Sequence, residues 1–174
     1  MIKTFNEFLN EAKQVGILYH FTNIENLLGI LKSNKIIGSS GEREIYISFT
    51  RNKNFNLSGH YGITGTSVRI SINGDKLSNN YKIKPYFYKE FNRDEMEERV
   101  ITTSIKNISN YIIEIMLYNN ILLYNEYQGK QFISQQNILH RFIKKDDIDD
   151  PVNLNDILEY LKQYNIKINI DYKN

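Results

Sequence analysis

Two short segments with alternating apolar and polar residues place the tightest constraint on the fold. Residues 44–50 carry apolar side chains at every second position, and residues 68–72 repeat this spacing before Asn73 and Gly74. Successive side chains of a strand point to opposite faces of its sheet, so this period of two predicts a strand in each segment. The chain therefore needs at least one sheet with an apolar face.

Other segments alternate between helical and strand patterns. Apolar residues at helical spacing predict helices at 2–13, 24–34, 108–119 and 153–164, with more apolar-periodic segments up to about 142. Thr22 or Asn23 can cap the second of these helices, and Asn153 or Asn155 the last. Short apolar or β-rich runs predict strands at 17–21, 36–37, 81–85, 99–103 and 166–170. Pro85 restricts its segment to a sheet edge or a strand end. The mixture predicts an α+β fold.

Composition narrows the class of protein. The 174 residues are 41% hydrophobic, which suits a single folded domain, and the net charge is only +2. The chain has no cysteine, which excludes disulfides, a thiol nucleophile and thiolate metal sites. Its three histidines are far apart in sequence, so we expect no metal site. Without a long apolar stretch or a secretory signal, we expect no membrane association.

Three polar segments are candidates for a functional site. His20 ends a predicted strand, and Ser48, Thr50 and Arg51 end the next long one. An acidic segment, 94–98, then precedes an apolar run.

In this order, the three segments resemble the motifs of ADP-ribosyltransferases of the His-containing class, which includes DarT-like and diphtheria-toxin-like members. The resemblance covers residues 17–103. It implies an ADP-ribosyltransferase-like α+β fold in residues 13–174, with two small antiparallel sheets forming a cleft, flanking helices and a mostly helical C-terminal portion. It also implies NAD as the substrate and a mono-ADP-ribosyltransferase activity.

The resemblance assigns the catalytic role to the acidic segment. Cleavage of the nicotinamide–ribose bond develops positive charge on the ribose, as in glycoside hydrolysis, and a carboxylate stabilises this charge. Glu97 is the implied catalytic residue, and Glu98 takes the role if the register shifts by one residue. Because side chains alternate along a strand, only one of the two can face the cleft. Glu95 shares the face of Glu97 and would orient the acceptor.

The implied cofactor-binding residues lie in the first two segments: His20, Phe21, Thr22, Tyr46, Ser48, Thr50 and Arg51. His20 would bind the adenosine-side ribose, and Ser48 or Thr50 would bind the nicotinamide end. Arg51 suits the pyrophosphate because its planar fork pairs with two oxygens. Tyr46 is a candidate stacking ring.

Simpler interpretations of the same residues remain open. His20 could be a surface or core histidine, Arg51 could pair with Glu42 or Glu44, and Glu98 could be a solvated surface residue. A catalytically inactive protein that inhibits a host defence protein by binding is the alternative function. A nuclease that uses His20, His60 and Glu97 as acid–base residues is a third hypothesis.

The N-terminus has a resemblance of its own. Residues 1–12 resemble the capsid-targeting peptide of T4-type phage internal head proteins, in which Leu9-Asn10-Glu11 would direct cleavage before Ala12. The implied partners are phage head proteins, the head-maturation protease and a host protein or nucleic-acid target. The implied location is the virion interior, then the host cytoplasm after injection. The alternative is an ordinary amphipathic helix that packs on the domain.

Overall fold

The computed structural model of the chain describes residues 15–40, 44–53, 68–86, 97–118, 141–143 and 152–171. Strands β1 to β10 are Ile17–Thr22, Lys35–Ile37, Ser39–Ser40, Ile45–Thr50, Val68–Asn73, Ile83–Tyr86, Glu97–Val100, Ser104–Lys106, Ile112–Tyr118 and Ile168–Asp171. Helices α1 to α3 are Ile24–Ser33, Gly74–Ser78 and Leu154–Lys162. This mixture confirms the predicted α+β class.

The sheets differ from the two small antiparallel sheets that we expected. One large sheet has the strand order β10-β9-β5-β1-β4-β7-β6, with β3 paired to β4 outside this path. Strands β2 and β8 form a separate two-stranded sheet. The last strand, β10, joins the large sheet beside β9, and the two strands pair in parallel orientation. Strand β6 is at one edge, which agrees with the position expected for Pro85.

The two faces of the large sheet differ in chemistry. We call the face that carries Leu18 of β1, Ile47 of β4 and Val100 of β7 the inner face, and all three side chains are at most 2% exposed. Leu27, Leu28 and Leu31 of helix α1 belong to the same apolar core. We call the opposite face, which carries Tyr46, Ser48 and Arg99, the outer face. Polar groups on the inner face are therefore exceptions within an apolar layer.

The ends of helices α1 and α3 follow from local sequence. Asn23 caps α1 by accepting a hydrogen bond from the Asn26 amide, and Asn34 ends it in the left-handed conformation. Asn153 caps α3 and forms a reciprocal pair of hydrogen bonds with Asp156. The segments predicted as helices at these two places are confirmed, with Asn23 and Asn153 as the caps.

The predicted helix at 108–119 is wrong. The described part of this segment is a 3-10 turn, Ile108–Asn110, followed by strand β9. Its neighbours β5 and β10 supply hydrogen-bonding partners on both sides, so tertiary pairing overrides the local helical spacing. Residues 119–140, which belong to the expected helical C-terminal portion, lie outside the described residues.

Two further predictions concern the N-terminal segment and membrane-spanning helices. The N-terminal segment 1–12, with Glu11 and Ala12, lies outside the described residues, so its proposed cleavage stays a prediction. In the part of the chain that the structure describes, no helix is both long and apolar enough to cross a bilayer.

Candidate functional site

The inner face carries a row of three side chains from three adjacent strands. Phe49 of β4 pairs directly with Glu98 of β7. On its other side, the Phe49 ring lies 5.5 Å from the His20 ring of β1, measured between centroids. Because neighbouring strands are about 4.8 Å apart, the backbones of His20 and Glu98 are separated by about 10 Å. The row therefore has a histidine on one side of an aromatic ring and a carboxylate on the other.

Local hydrogen bonding determines the tautomer of His20. Its Nδ1 lies 3.0 Å from the backbone carbonyl oxygen of Ser48. A carbonyl oxygen only accepts, so Nδ1 donates, and in the neutral ring Nε2 is left as an acceptor. Desolvation by burial lowers the pKa of His20, and the bond to Ser48 opposes part of that shift. At neutral pH the side chain is thus an uncharged imidazole with Nε2 able to accept a hydrogen bond.

Glu98 is paired with Arg51 rather than solvated. The residue is 6% exposed, and its Oε1 accepts a hydrogen bond of 2.6 Å from Arg51 Nε. Arg51 follows β4, two residues after Phe49, and its side chain is 45% exposed. A charge-assisted hydrogen bond of this kind gives the buried carboxylate a partner inside the protein. Its burial excludes the interpretation of Glu98 as a solvated surface residue. Arg51 pairs with Glu98 and not with Glu44 among the described residues, and Glu42 lies outside them.

Glu97 lies on the other face of the sheet. It pairs with Thr50, and its Oε1 accepts hydrogen bonds from Ser48 Oγ at 2.8 Å and from Arg99 Nε at 2.9 Å. Of the two glutamates between which strand alternation was expected to decide, Glu97 therefore lies on the face opposite to His20. The physical reason is strand alternation, since the pairing of Phe49 with Glu98 puts Glu98 on the inner face.

Arg99 lies between two aromatic rings on the outer face. Its guanidinium carbon lies 3.8 Å from the ring centre of Tyr46 and 3.2 Å from that of Tyr86. Burial lowers the pKa of Arg99, but the hydrogen bond and charge of Glu97 raise it by more, so the net shift is upward. Tyr46, proposed as a stacking ring for NAD, instead stacks on an arginine of the same chain.

The other predicted residues fall on both faces or outside the described residues. Thr22 is 7% exposed and lies on the inner face, two residues after His20. Phe21 and Thr50 lie on the outer face, where Phe21 pairs with Arg69 and Thr50 with Tyr19. Those outside the described residues are Glu11, Ala12, His60 and Glu95. The inner face thus unites His20, Thr22, Arg51 and Glu98, and it separates them from Tyr46, Ser48 and Glu97.

A cleft of about 660 Å³ opens beside His20 and Thr22. One wall is helix α1, which contributes Glu25, Asn26 and Gly29 among others. Three cations also line the cleft: Lys32, Lys35 and Arg141. Among the described residues that line the cleft, Glu25 is the one acidic residue, so their charge balance favours an anionic ligand. The volume is in the range of ordinary ligand pockets.

Sequence reasoning missed several residues of this region. Arg141 and Phe142 line the cleft although they are more than a hundred positions from His20, and the Phe142 ring lies 5.4 Å from Lys32 Nζ. Arg69 was also missed. It is 3% exposed and donates hydrogen bonds to the Lys53 carbonyl oxygen, just after Arg51, and to the side chain of Glu114. An arginine within an alternating strand was the available signal, because such a residue needs partners when it is buried.

No group of three or more His, Cys, Asp or Glu residues within the described ranges is arranged to hold a metal ion. The polar residues of the row have partners of other kinds: a carbonyl oxygen for His20 and a guanidinium for Glu98.

Comparisons with known proteins give distant structural similarities. No protein-family model and no curated protein matches the chain. It is similar to DarT of Thermus sp. 2.9 in complex with NAD+, with a TM-score of 0.46, 12% identity, and coverage of 91% of this chain and 96% of that chain. The same DarT in complex with ADP-ribosylated ssDNA gives a TM-score of 0.47, 12% identity, and coverage of 89% and 93%. Because both are distant in sequence and in backbone geometry, we base the function on the residues of this chain.

Proposed function

We propose that the chain is an NAD-dependent mono-ADP-ribosyltransferase in which Glu98 is the catalytic carboxylate. The observation that carries the proposal is the inner-face row, in which His20 and Glu98 flank Phe49 and Arg51 binds Glu98. The order of the three segments in the sequence is the reason that NAD is the proposed substrate. The assignment to Glu98 instead of Glu97 rests on the strand register.

Each polar residue of the row has a chemical role in this proposal. The Nε2 atom of His20 accepts a hydrogen bond from a ribose hydroxyl of NAD, which a neutral imidazole can do and a protonated one cannot. Arg51 uses guanidinium nitrogens other than Nε to bind a phosphate oxygen, since Nε already serves Glu98. Phe49 separates the two ends of the row and gives the cofactor an apolar surface.

Glu98 acts on the bond that breaks. The bond between the nicotinamide nitrogen and the ribose carbon cleaves with its electron pair moving to nicotinamide, which leaves as a neutral molecule. The ribose then carries positive charge, and the nearby carboxylate stabilises it electrostatically. A nucleophile of the acceptor forms the new bond to the ribose carbon and releases one proton. In a buried site this stabilisation is larger than in water.

The cationic cleft beside His20 fits the remaining part of NAD. Lys32, Lys35 and Arg141 can compensate the charge of the pyrophosphate, and the aliphatic Ile36 together with Phe142 can contact an adenine ring. The cleft and the row meet at His20, so a single extended ligand can reach both.

Measurement of nicotinamide release from NAD tests the proposal. Purified wild-type chain, with and without a bacterial lysate as the source of acceptor, is compared with Glu98→Gln and with Glu159→Gln, a matched substitution on the exposed surface of α3. We expect lysate-dependent release that falls on the order of 10²–10³-fold in Glu98→Gln and is unchanged in Glu159→Gln. Full release by Glu98→Gln would refute the assignment of the catalytic carboxylate.

The second candidate is an inactive protein of the same architecture that inhibits a host defence protein by binding it. The observation that favours it is the ion pair between Arg51 and Glu98, which occupies both groups with each other. No release of nicotinamide under any condition, together with a stable complex with a lysate protein, would select this candidate.

The phage origin, the acceptor and the location complete the proposal. We infer from residues 1–12 that the chain is packaged in a virion, that it interacts there with head proteins and the maturation protease, and that it acts on a host protein or nucleic acid after injection.

A further inference from the structure

Two neighbouring glutamates lie on the short strand β7, so the register of this strand determines the face on which each of them lies. Glu97 and Glu98 point to opposite faces, so a slip of one residue would exchange them. Strand β7 has only four residues, and its two inner-face side chains are Glu98 and Val100. Val100 is thus the one apolar side chain of the strand whose burial favours the observed register. A further interaction is needed to specify which glutamate lies on the inner face.

Five outer-face residues supply that interaction, and we call them the outer-face clamp: Tyr46, Ser48, Tyr86, Glu97 and Arg99. Tyr46 and Ser48 come from β4, Tyr86 from β6, and Glu97 and Arg99 from β7 itself. Arg99 stacks between the two tyrosine rings and donates to Glu97, which also accepts from Ser48. The clamp therefore ties β7 to both of its neighbours.

The clamp is largely withdrawn from water. The side chains of Glu97 and Arg99 are each 12% exposed, which strengthens both their charge-assisted hydrogen bond and the cation–π contacts of Arg99. In the slipped register, Arg99 would face inward beside Ile47, at a position where the sheet is apolar. A guanidinium without a partner there is costly, so Arg99 opposes the slipped state as well as stabilising the observed one.

We propose that Glu97 and Arg99 are positioning residues that hold β7 in the register in which Glu98 lies on the inner face, on the same side of the sheet as His20. Neither residue touches the ligand, because both lie on the face opposite to His20. The catalytic readout of this inference rests on the proposed function, whereas the register itself can be measured without any turnover.

The catalytic test separates positioning from binding. We compare Glu97→Gln, Arg99→Met and Arg99→Lys with Lys84→Ala, an exposed outer-face residue that pairs with Arg99 across β6 and β7. In Glu97→Gln and Arg99→Met we expect kcat for nicotinamide release to fall about tenfold to a hundredfold, since small misplacements of a catalytic group have effects of this size. KM for NAD stays within about twofold, because the cleft is on the other face. Arg99→Lys restores part of the rate, and Lys84→Ala has the wild-type rate.

The register test uses the absence of cysteine from the chain. A thiol introduced by Glu98→Cys should react slowly with a charged alkylating reagent, as position 98 is buried. Adding Arg99→Met should accelerate this reaction about tenfold through local opening of β7, whereas adding Lys84→Ala should not change it. Thermal unfolding of each variant verifies that the comparison is made between folded proteins.

The two tests fail in distinguishable ways. Accelerated labelling of Glu98→Cys with Arg99→Met, together with a wild-type chain that releases no nicotinamide, would refute the proposed function and support the positioning role in the register. Unchanged labelling in Glu98→Cys with Arg99→Met would overturn the positioning role. So would an active enzyme whose kcat is unaffected by Arg99→Met, or one in which KM rises while kcat stays constant.

Discussion

His20 and Glu98 face the same side of one sheet, two strands apart, with the ring of Phe49 between them. This relationship joins a histidine held by the Ser48 carbonyl to a carboxylate held by Arg51. Each polar group is thus fixed by a partner from β4 or the residue just after it. The positions of both side chains, His20 and Glu98, therefore depend on strand β4.

His20 should make stability depend on pH. Burial lowers its pKa in the folded chain below the value of about 6.5 expected when unfolded. As pH falls below about 6.5, the unfolded chain therefore binds a proton that the folded chain does not, and folding loses up to about 1.4 kcal/mol per pH unit. The loss ends at the pKa of the folded state. His20→Gln can keep a donor for Ser48 but cannot ionise, so its unfolding free energy should fall less between about pH 7.5 and pH 5.5. Urea unfolding of both chains at the two pH values is the measurement, and parallel losses would contradict the prediction.

Arg51 and Glu98 should be energetically coupled. Arg51→Ala leaves a carboxylate at 6% exposure without its guanidinium, and we expect a loss of about 1–3 kcal/mol in the unfolding free energy. The exposed part of Arg51 reduces the effect towards the lower value. In Arg51→Ala with Glu98→Gln, the charge is gone, and the combined loss should be smaller than the sum of the single losses. Additive losses in urea unfolding would show that the 2.6 Å contact contributes nothing.

Arg69 should matter far more than Lys167, although both contact Glu114. The Arg69 side chain is 4% exposed and also binds the Lys53 carbonyl oxygen, whereas the Lys167 side chain is 67% exposed. We expect Arg69→Met to lower the unfolding free energy by about 2 kcal/mol or more and Lys167→Met by less than about 1 kcal/mol. Because Lys53 follows Arg51 by two residues, Arg69→Met should also slow nicotinamide release. Equal destabilisation by both substitutions would contradict the prediction.

The N-terminal segment predicts a processed form of the protein. Leu9-Asn10-Glu11 directs cleavage before Ala12 if the resemblance to head-protein peptides holds. Mass spectrometry of purified particles should find a peptide that begins at Ala12, and Glu11→Gln should leave the chain uncut. Absence of the protein from purified phage particles would refute the proposal that it is packaged in the virion.

The spacing of apolar residues predicted the elements that bury one apolar face. It failed where pairing with neighbouring strands determines the secondary structure. Helix α1 and strands β4 and β5 follow from the apolar spacing around Leu27, Ile47 and Ile70. The segment from Ile108 to Met116 has the same helical spacing but forms a strand, because β5 and β10 pair with it. Helix α2 was missed because five residues are too few for a periodic pattern.

The sequence supplied candidates for the site but not their orientation. The resemblance implied His20, Arg51 and the two glutamates, and their roles stay predictions. The choice between Glu97 and Glu98 depends on which of them pairs with Phe49, and a single sequence does not contain that register. Arg141 was not found because a cleft can join residues of any separation along the chain.

The strand order has a kinetic consequence for this protein. Ser48 and His20 are 28 positions apart in sequence, and Arg51 and Glu98 are 47 positions apart, so the site consists of non-local contacts. Closing such loops costs entropy before the contacts compensate it, and chains with this topology fold slowly. A chain emerging from the ribosome therefore cannot form the proposed site until β7 has docked against β4. Catalytic competence should appear in refolding experiments together with global protection of the sheet, and not before it.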